Sequence, residues 1–317
     1  MRGERAMGGP VTDQVLVIAN PTAGTAKAEL VAAIRDACAA HAETSLHVTT
    51  ARGDATETAR RAVAARTPPG LVVVVGGDGT VREVVEGMID TTSSTLLVLP
   101  GGTGNSVYRM LWGDRPWQEA VRAVFGGQAA RRRLDLARLA ETGAVVCLGA
   151  CSGVVAEALE FARRTPITGR GRYTKAFADA CAAHKPYPGR VSVDGKVLYE
   201  GDTVLANVGG GRYRGGQYLL LPMSELTDGL LDVCVISGQV DPLRVPDLIR
   251  TGAHLGEPGV YYGRGSRVEV ERTDGANLVF EHDGELHADT AGSMTLRVAP
   301  GALPVWADAA VAAGPDW

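Results

Sequence analysis

Two glycine-rich segments carry the residues best suited to chemistry, GGDGT at 76–80 and PGGTGN at 100–105. Glycine lets backbone N–H groups approach an anion closely, and a helix that starts just beyond adds roughly half a positive charge. Gly76, Gly77 and Gly79 are therefore candidates for a phosphate cradle, with Thr80 either capping the next helix or meeting a phosphate oxygen. Asp78 is repelled by a neighbouring anion unless a divalent cation stands between them, which points to Mg²⁺. The plain alternative is an Asp-Gly turn from strand to helix. In the second segment Pro100 stops a strand, and Gly101, Gly102 and Gly104 allow another close approach. Thr103 and Asn105 are the side chains expected to meet an anion bound there, with a helix N-cap as the alternative for Asn105. A third candidate, Asp283-Gly284-Glu285, lies between two strand-like stretches, where Asp-Gly is first of all a hairpin signal. Asp194-Gly195 is the same signal with no further role.

The elements that must position these residues follow from periodicity. Four apolar runs end in small polar residues: VLVIANPTAG (15–24), SLHVTTARGDA (45–55), LVVVVGGDGT (71–80) and TLLVLPGGTGN (95–105). A stretch of helical spacing follows each, which predicts four βα units whose loops gather at the carboxyl edge of one parallel sheet, the ligand edge of open α/β folds. Leu30, Ile34 and Cys38 form one stripe of a helix over 27–41, and Asp54 with Glu57 has capping-box spacing for a helix over 55–66. The run 71–75 is wholly apolar, as expected of a strand buried on both faces. Beyond about residue 130 the texture changes. RRRLDLARL and AVVCLGACSG read as strands, 154–164 and 171–184 as helices, and short strands dominate from 190 onward. The expected fold is α/β: an amino-terminal doubly wound parallel-sheet domain over 14–133 and a carboxy-terminal antiparallel β-sandwich over 134–299, behind a disordered leader at 1–13.

Composition narrows the class. With 32 basic and 36 acidic residues the formal charge is −4, which disfavours a nucleic-acid partner. No apolar stretch approaches the ~20 residues that span a bilayer, and residues 1–13 lack the apolar core of a signal peptide. Five cysteines without a CxxC pair point to free cytosolic thiols rather than a metal cluster. Between 163 and 190, Arg163, Arg164, Arg170, Arg172, Lys175, Lys185 and Arg190 face a single acid, Asp179. This run is either a face for anionic lipid headgroups or a solvated helix surface.

Together, GGDGT and PGGTGN, each after a strand, resemble the catalytic domain of diacylglycerol kinases and their sphingosine-kinase and bacterial lipid-kinase relatives. The resemblance continues through NPTAG at the first strand, Thr49 ahead of Asp54, NVGGGRYRGGQYLLLP (207–222), TDGLLDV (227–233) and DGE (283–285), in the family's order. It implies a cytoplasmic kinase, peripheral to the membrane, that transfers the γ-phosphate of ATP to a lipid hydroxyl, with diacylglycerol or a related lipid alcohol as acceptor. A homodimer is left open. ATP contacts carry over onto Asn20, Thr49, Gly76, Gly77, Asp78, Gly79, Thr80, Gly102, Thr103, Gly104 and Asn105. Asp283 becomes the general base with Glu285 in support, Asp78 and Asp135 join a water-linked Mg²⁺ network, and Asp228 holds a structural Mg²⁺. The last segment, 300–317, is expected to return to the first domain. Many relatives have an acid where this chain has Ser106, so the metal network is expected to be thinner here, and Asn is common where it has Arg82. A sphingoid-base kinase, an NAD kinase and a catalytically silent nucleotide- or lipid-binding regulator stay open as alternatives.

Overall fold

The computed structural model describes residues 12–310, apart from 23, 25, 168 and 289–291. The leader expected at 1–13 falls outside the described residues save for Thr12 and Asp13, as does 311–317 of the expected returning segment. Two compact units divide the chain: one comprises 12–102, 111–133 and 303–310, the other 103–110 and 134–302.

The first unit alternates strand and helix: β1 (Gln14–Ala19), α1 (Ala28–Ala39), β2 (Glu43–Val48), α2 (Asp54–Val63), β3 (Leu71–Gly76), α3 (Asp78–Met88) and β4 (Thr95–Pro100). The chain continues through α4 (Ser106–Trp112), which belongs to the second unit as far as Met110, and α5 (Trp117–Phe125) of the first. The strands lie in the order β2-β1-β3-β4, all parallel, and Val305 near the carboxyl end of the chain extends the sheet by pairing in parallel with Leu96. Every residue of β3 is buried, as its unbroken apolar run predicts. Each buried valine contributes about 1.5–3 kcal/mol relative to exposure. The capping-box reading of α2 is corrected. Gly53 is the N-cap, at φ +83°, and Asp54 is the first helical residue. Its carboxylate accepts from the Thr50 amide and engages His47 at 3.0 Å, while Glu57 pairs with Arg60 and Arg61. Asp54 thus ties down the β2–α2 loop rather than its own helix end.

The second unit is antiparallel. It contains β5 (Ala130–Leu139) from Leu134 onward, then β6 (Val145–Val146), β7 (Ala150–Gly153), α6 (Val154–Arg164), α7 (Arg170–Ala183), β8 (Tyr187–Val193) and β9 (Lys196–Gly209). There follow β10 (Tyr213–Arg214), β11 (Tyr218–Leu219), β12 (Leu231–Ser237), α8 (Val245–Thr251), β13 (Val260–Gly265), β14 (Arg267–Arg272), β15 (Phe280–His282), β16 (Glu285–His287) and β17 (Ser293–Ala307) as far as Ala302. β9 is central, flanked by β7, β8 and β12, and β14 joins β8 to β17. One core packs Val191, Val208, Val233, Val268, Phe280 and Leu296 between strand layers; a second lies under α6 and α7 around Phe177, Leu205 and Ile236. A parallel α/β unit with an antiparallel sandwich is the fold class that the pattern predicts. β13 was not legible: in VYYGRG two glycines interrupt the alternation. All five cysteines are buried thiols, and burial pushes Cys38 up to about 11.

Candidate active site

In the first unit the expected nucleotide contacts meet at the carboxyl edge of the sheet. Asn20, just past β1, donates from its backbone to the Val75 carbonyl and from Nδ2 to Thr80 Oγ1 at 3.1 Å. Its Oδ1 accepts from Thr22, and the Thr49 amide donates to the Ala19 carbonyl at 2.8 Å. The glycines are there because the backbone is crowded. A Cβ on Gly76 would lie 2.7 Å from the Thr80 side chain, one on Gly77 would meet Gly102 Cα at 3.3 Å, and one on Gly101 would stand 2.9 Å from the Gly76 nitrogen. The Gly101 amide donates to the Gly76 carbonyl, locking the two loops together. Gly79 differs: a Cβ there would meet open space, so the protein's own packing does not require glycine. Asp78 opens α3 with a half-buried side chain in its first turn, where a carboxylate also complements the helix dipole.

In the second unit Thr103, Gly104 and Asn105 precede α4, with Asn105 in the left-handed region at φ +55°. Ser106 is fully buried and its Oγ accepts from the Gly216 amide at 2.9 Å. The position reads in the sequence as a missing metal-network acid; here it holds a neighbouring loop. Asp135 is 6% exposed, and its two oxygens accept the amides of Gly229 (2.6 Å) and Gly301 (2.7 Å). Asp228 accepts the Leu230 amide and pairs with Arg264, whose Nε also stands 3.4 Å from buried Asp232. Among the described residues no three His, Cys, Asp or Glu side chains form a metal-holding group.

Asp283 lies in a two-residue turn between β15 and β16, with Asp283 and Gly284 at φ +47° and +87°. Its side chain is 2% exposed. Oδ2 accepts the Cys147 amide at 2.6 Å, and Oδ1 accepts those of Leu148 (2.8 Å) and Gly149 (3.2 Å). Arg214 Nη1 stands 3.8 Å from Oδ1, and Arg214 Nη2 lies 3.8 Å from Oε1 of Glu281. Arg214 also donates twice to Asn207 Oδ1. Glu281 Oε2 accepts the Gly284 amide, and burial holds its carboxyl above the usual range against the pull of Arg214. Glu285, expected to support the base, opens β16 opposite His282 and is half-buried. His282 Nδ1 and His287 Nε2 share a hydrogen bond of 2.8 Å.

Sequence reasoning missed Arg214, Glu281 and Asn207. The signal was present but faint: an acid in a short apolar strand, and an arginine inside a glycine-rich run. A buried carboxylate or guanidinium is costly unless paired, so each of these calls for a partner.

With this geometry in hand, two family descriptions match the sequence: "Diacylglycerol kinase catalytic domain" over residues 14–139 and "YegS C-terminal NAD kinase beta sandwich-like domain" over 148–307. A diacylglycerol kinase of Bacillus subtilis (strain 168) is 29% identical over 280 residues, covering 85% of this chain and 88% of that protein. One from Mycobacterium tuberculosis (strain CDC 1551 / Oshkosh) is 30% identical over 261 residues, covering 77% and 82%. The crystal structure of a diacylglycerol kinase from Bacillus anthracis str. Sterne superposes with a TM-score of 0.68 at 22% identity, over 95% of this chain and 98% of that one, a likeness of fold. The chain belongs to the diacylglycerol kinase and YegS-like family of lipid kinases.

Proposed function

We propose that this lipid kinase transfers the γ-phosphate of ATP to the hydroxyl of diacylglycerol or a closely related lipid alcohol. The observation that carries the reading is the packing of Gly76 and Gly77 against Gly101 and Gly102 beneath the amino terminus of α3, with Gly79 facing open space. Phosphoryl transfer demands positioning and charge neutralisation more than covalent help, and a cradle of converging amides supplies both.

Mg²⁺ bound with the nucleotide would neutralise phosphate charge, and Asp78 is the residue that would hold it, since such sites need only one or two carboxylates besides the phosphates. Asp135 fits a bracing role, because each of its oxygens already holds a backbone amide. Asp228 fits a divalent cation poorly, because the Arg264 guanidinium paired with its carboxylate already neutralises it and would repel a second cation. In the proposed reaction the acceptor hydroxyl loses its proton to Asp283 as its oxygen bonds to the γ-phosphorus and the bridging bond to ADP breaks. Oδ2 is the atom for this, since it holds one amide where Oδ1 holds two and a carboxylate oxygen has two lone pairs. Its burial excludes bulk water, so the hydroxyl must reach Oδ2 directly.

A membrane-facing role for α6 and α7 draws support from exposed Ile167 and Tyr173 beside exposed Arg163 and Arg164. Arg172 and Lys175 are engaged internally, with the Ala162 carbonyl and with Asp179, and the Arg170 side chain lies outside the described residues. No described helix is long and apolar enough to cross a membrane.

The test is transfer of label from γ-labelled ATP to diacylglycerol, sphingosine, ceramide, phosphatidylglycerol and NAD, the lipids presented in vesicles of rising anionic content. Label is expected in diacylglycerol, rising with anionic lipid and falling with salt as screening shortens to about 10 Å at 0.1 M. Label in NAD, or ATP binding without transfer to any acceptor, overturns the reading.

A further inference from the structure

The position that reads as a missing acid is mechanically busy. Ser106 and Arg109 stand three residues apart on α4 and so share a face of the helix. Both hold one residue of the loop between β10 and β11: the Gly216 amide donates to Ser106 Oγ at 2.9 Å, and Arg109 Nη1 donates to the Gly216 carbonyl at 2.8 Å. The Arg109 guanidinium also lies 4.4 Å above the Tyr213 ring. Gly216 adopts φ +74°, and a Cβ there would collide with the Gly104 carbonyl, so its backbone lies flat on the PGGTGN loop. Two residues earlier is Arg214, which stands 3.8 Å from Asp283 and packs on Gly149, where a Cβ would fall 2.7 Å from its Nη2. Gly149 in turn gives its amide to Asp283. An unbroken chain of contacts therefore runs from Gly104 and Ser106 through Gly216 and Arg214 to the buried carboxylate.

We propose that Ser106 and Arg109 clamp Gly216 so that nucleotide seated on residues 103–105 sets the position of Asp283, coupling ATP binding to readiness for the lipid hydroxyl. The clamp rests on the assignment of 103–105 to nucleotide made above, and it makes Ser106 and Arg109 positioning residues. Coupling between two binding sites is reciprocal and of the order of fivefold or more when a packed network carries it.

The experiment is hydrogen exchange on the full chain with and without a non-hydrolysable ATP analogue, followed by the variants Ser106→Ala and Arg109→Met. In the parent chain the analogue is expected to slow exchange at 76–80 and, by about fivefold or more, at Gly216 and the 147–149 amides that hold Asp283. Each variant should keep the first effect and lose the second. In turnover each should lower kcat by a larger factor than it changes the KM for ATP, and the double variant should be no worse than the single ones, because both act on one peptide unit. Slowing confined to 76–80 in the parent chain, or slowing at 147–149 that survives in both variants, overturns the clamp. Absence of slowing at 76–80 in the parent chain overturns the nucleotide reading itself, and the clamp with it. If a variant fails to fold, the parent-chain comparison decides alone.

Discussion

The turns at Asp194-Gly195 and Asp283-Gly284 dock in the same way. Asp194 and Asp283 both sit at φ +47° ahead of a left-handed glycine. The Asp194 amide donates to the Arg267 carbonyl while the Arg267 amide donates to the Asp194 carboxylate. The Asp283 amide donates to the Gly149 carbonyl, and the Gly149 amide returns to the Asp283 carboxylate. What differs is the surroundings. Asp194 is exposed, and hydrogen bonds led by the Ser266 hydroxyl hold its carboxyl below the usual range. Asp283 is buried against Arg214 with a second carboxylate, Glu281, beyond it. Turn chemistry alone therefore separates nothing; the guanidinium and the burial do.

The sharpest way to break the comparison is Asp283→Asn beside Asp194→Asn. Loss of a general base should reduce turnover by about 10²–10⁴-fold, whereas Asp194→Asn should leave turnover intact. On the sequence alone, Asp283→Asn keeps the turn and the melting temperature. Three amides aimed at the carboxylate change that, because an amide NH₂ facing a backbone N–H leaves donors unpaired at about 1–3 kcal/mol. Assays at equal folded fraction, with urea unfolding in parallel, separate the two effects. Equal turnover in both variants would remove Asp283 from the chemistry.

Next in size is Arg214→Met, which strands two buried carboxylates without their cation. Breaking a buried pair in this way costs about 3–5 kcal/mol, to be read as a lower urea midpoint. A midpoint equal to that of the parent chain would show that Glu281 and Asp283 do not depend on Arg214.

The smallest effects concern acid, and they carry opposite signs. Asp194 is lowered, so its stabilisation is present above the unfolded value of about 3.9 and is lost as pH falls through the folded value. Glu281 is raised, chiefly by burial, so the parent chain should gain on Glu281→Gln as pH falls from 7 toward 4.5, while it loses its advantage over Asp194→Asn below pH 4. Urea midpoints at pH 7, 5 and 3.5 give both trends. Parallel trends would mean that the two turns share one electrostatic environment.

These turns also mark where the sequence was legible. The βα units could be read because a strand buried on both faces must be apolar along its length, as Leu71–Gly76 is. The glycine loops could be read because Gly76, Gly77 and Gly101 answer a local demand for close backbone approach. Arg214 and Glu281 could not, because their meaning comes from partners far along the chain: Glu281 lies 67 positions from Arg214 and is brought to it only by the pairing of β15 with β7 and of β7 with β9. Ser106 was misleading for a related reason. Its type suggested an absence, and only the fold brings Gly216 to its hydroxyl.

The return of Leu303–Ala307 to the first unit has a consequence for how the protein is made. A ribosome delivers β1 to β4 before Val305, with roughly 200 residues between them; at about 5–20 residues per second that is on the order of ten seconds or more. Throughout that interval the backbone groups of β4 that Val305 will meet have no partner, and an unpaired edge of an apolar strand invites pairing with another nascent chain. Folding yield in the cell should therefore depend on translation speed and on chaperones that shield β4, even where the finished protein is stable.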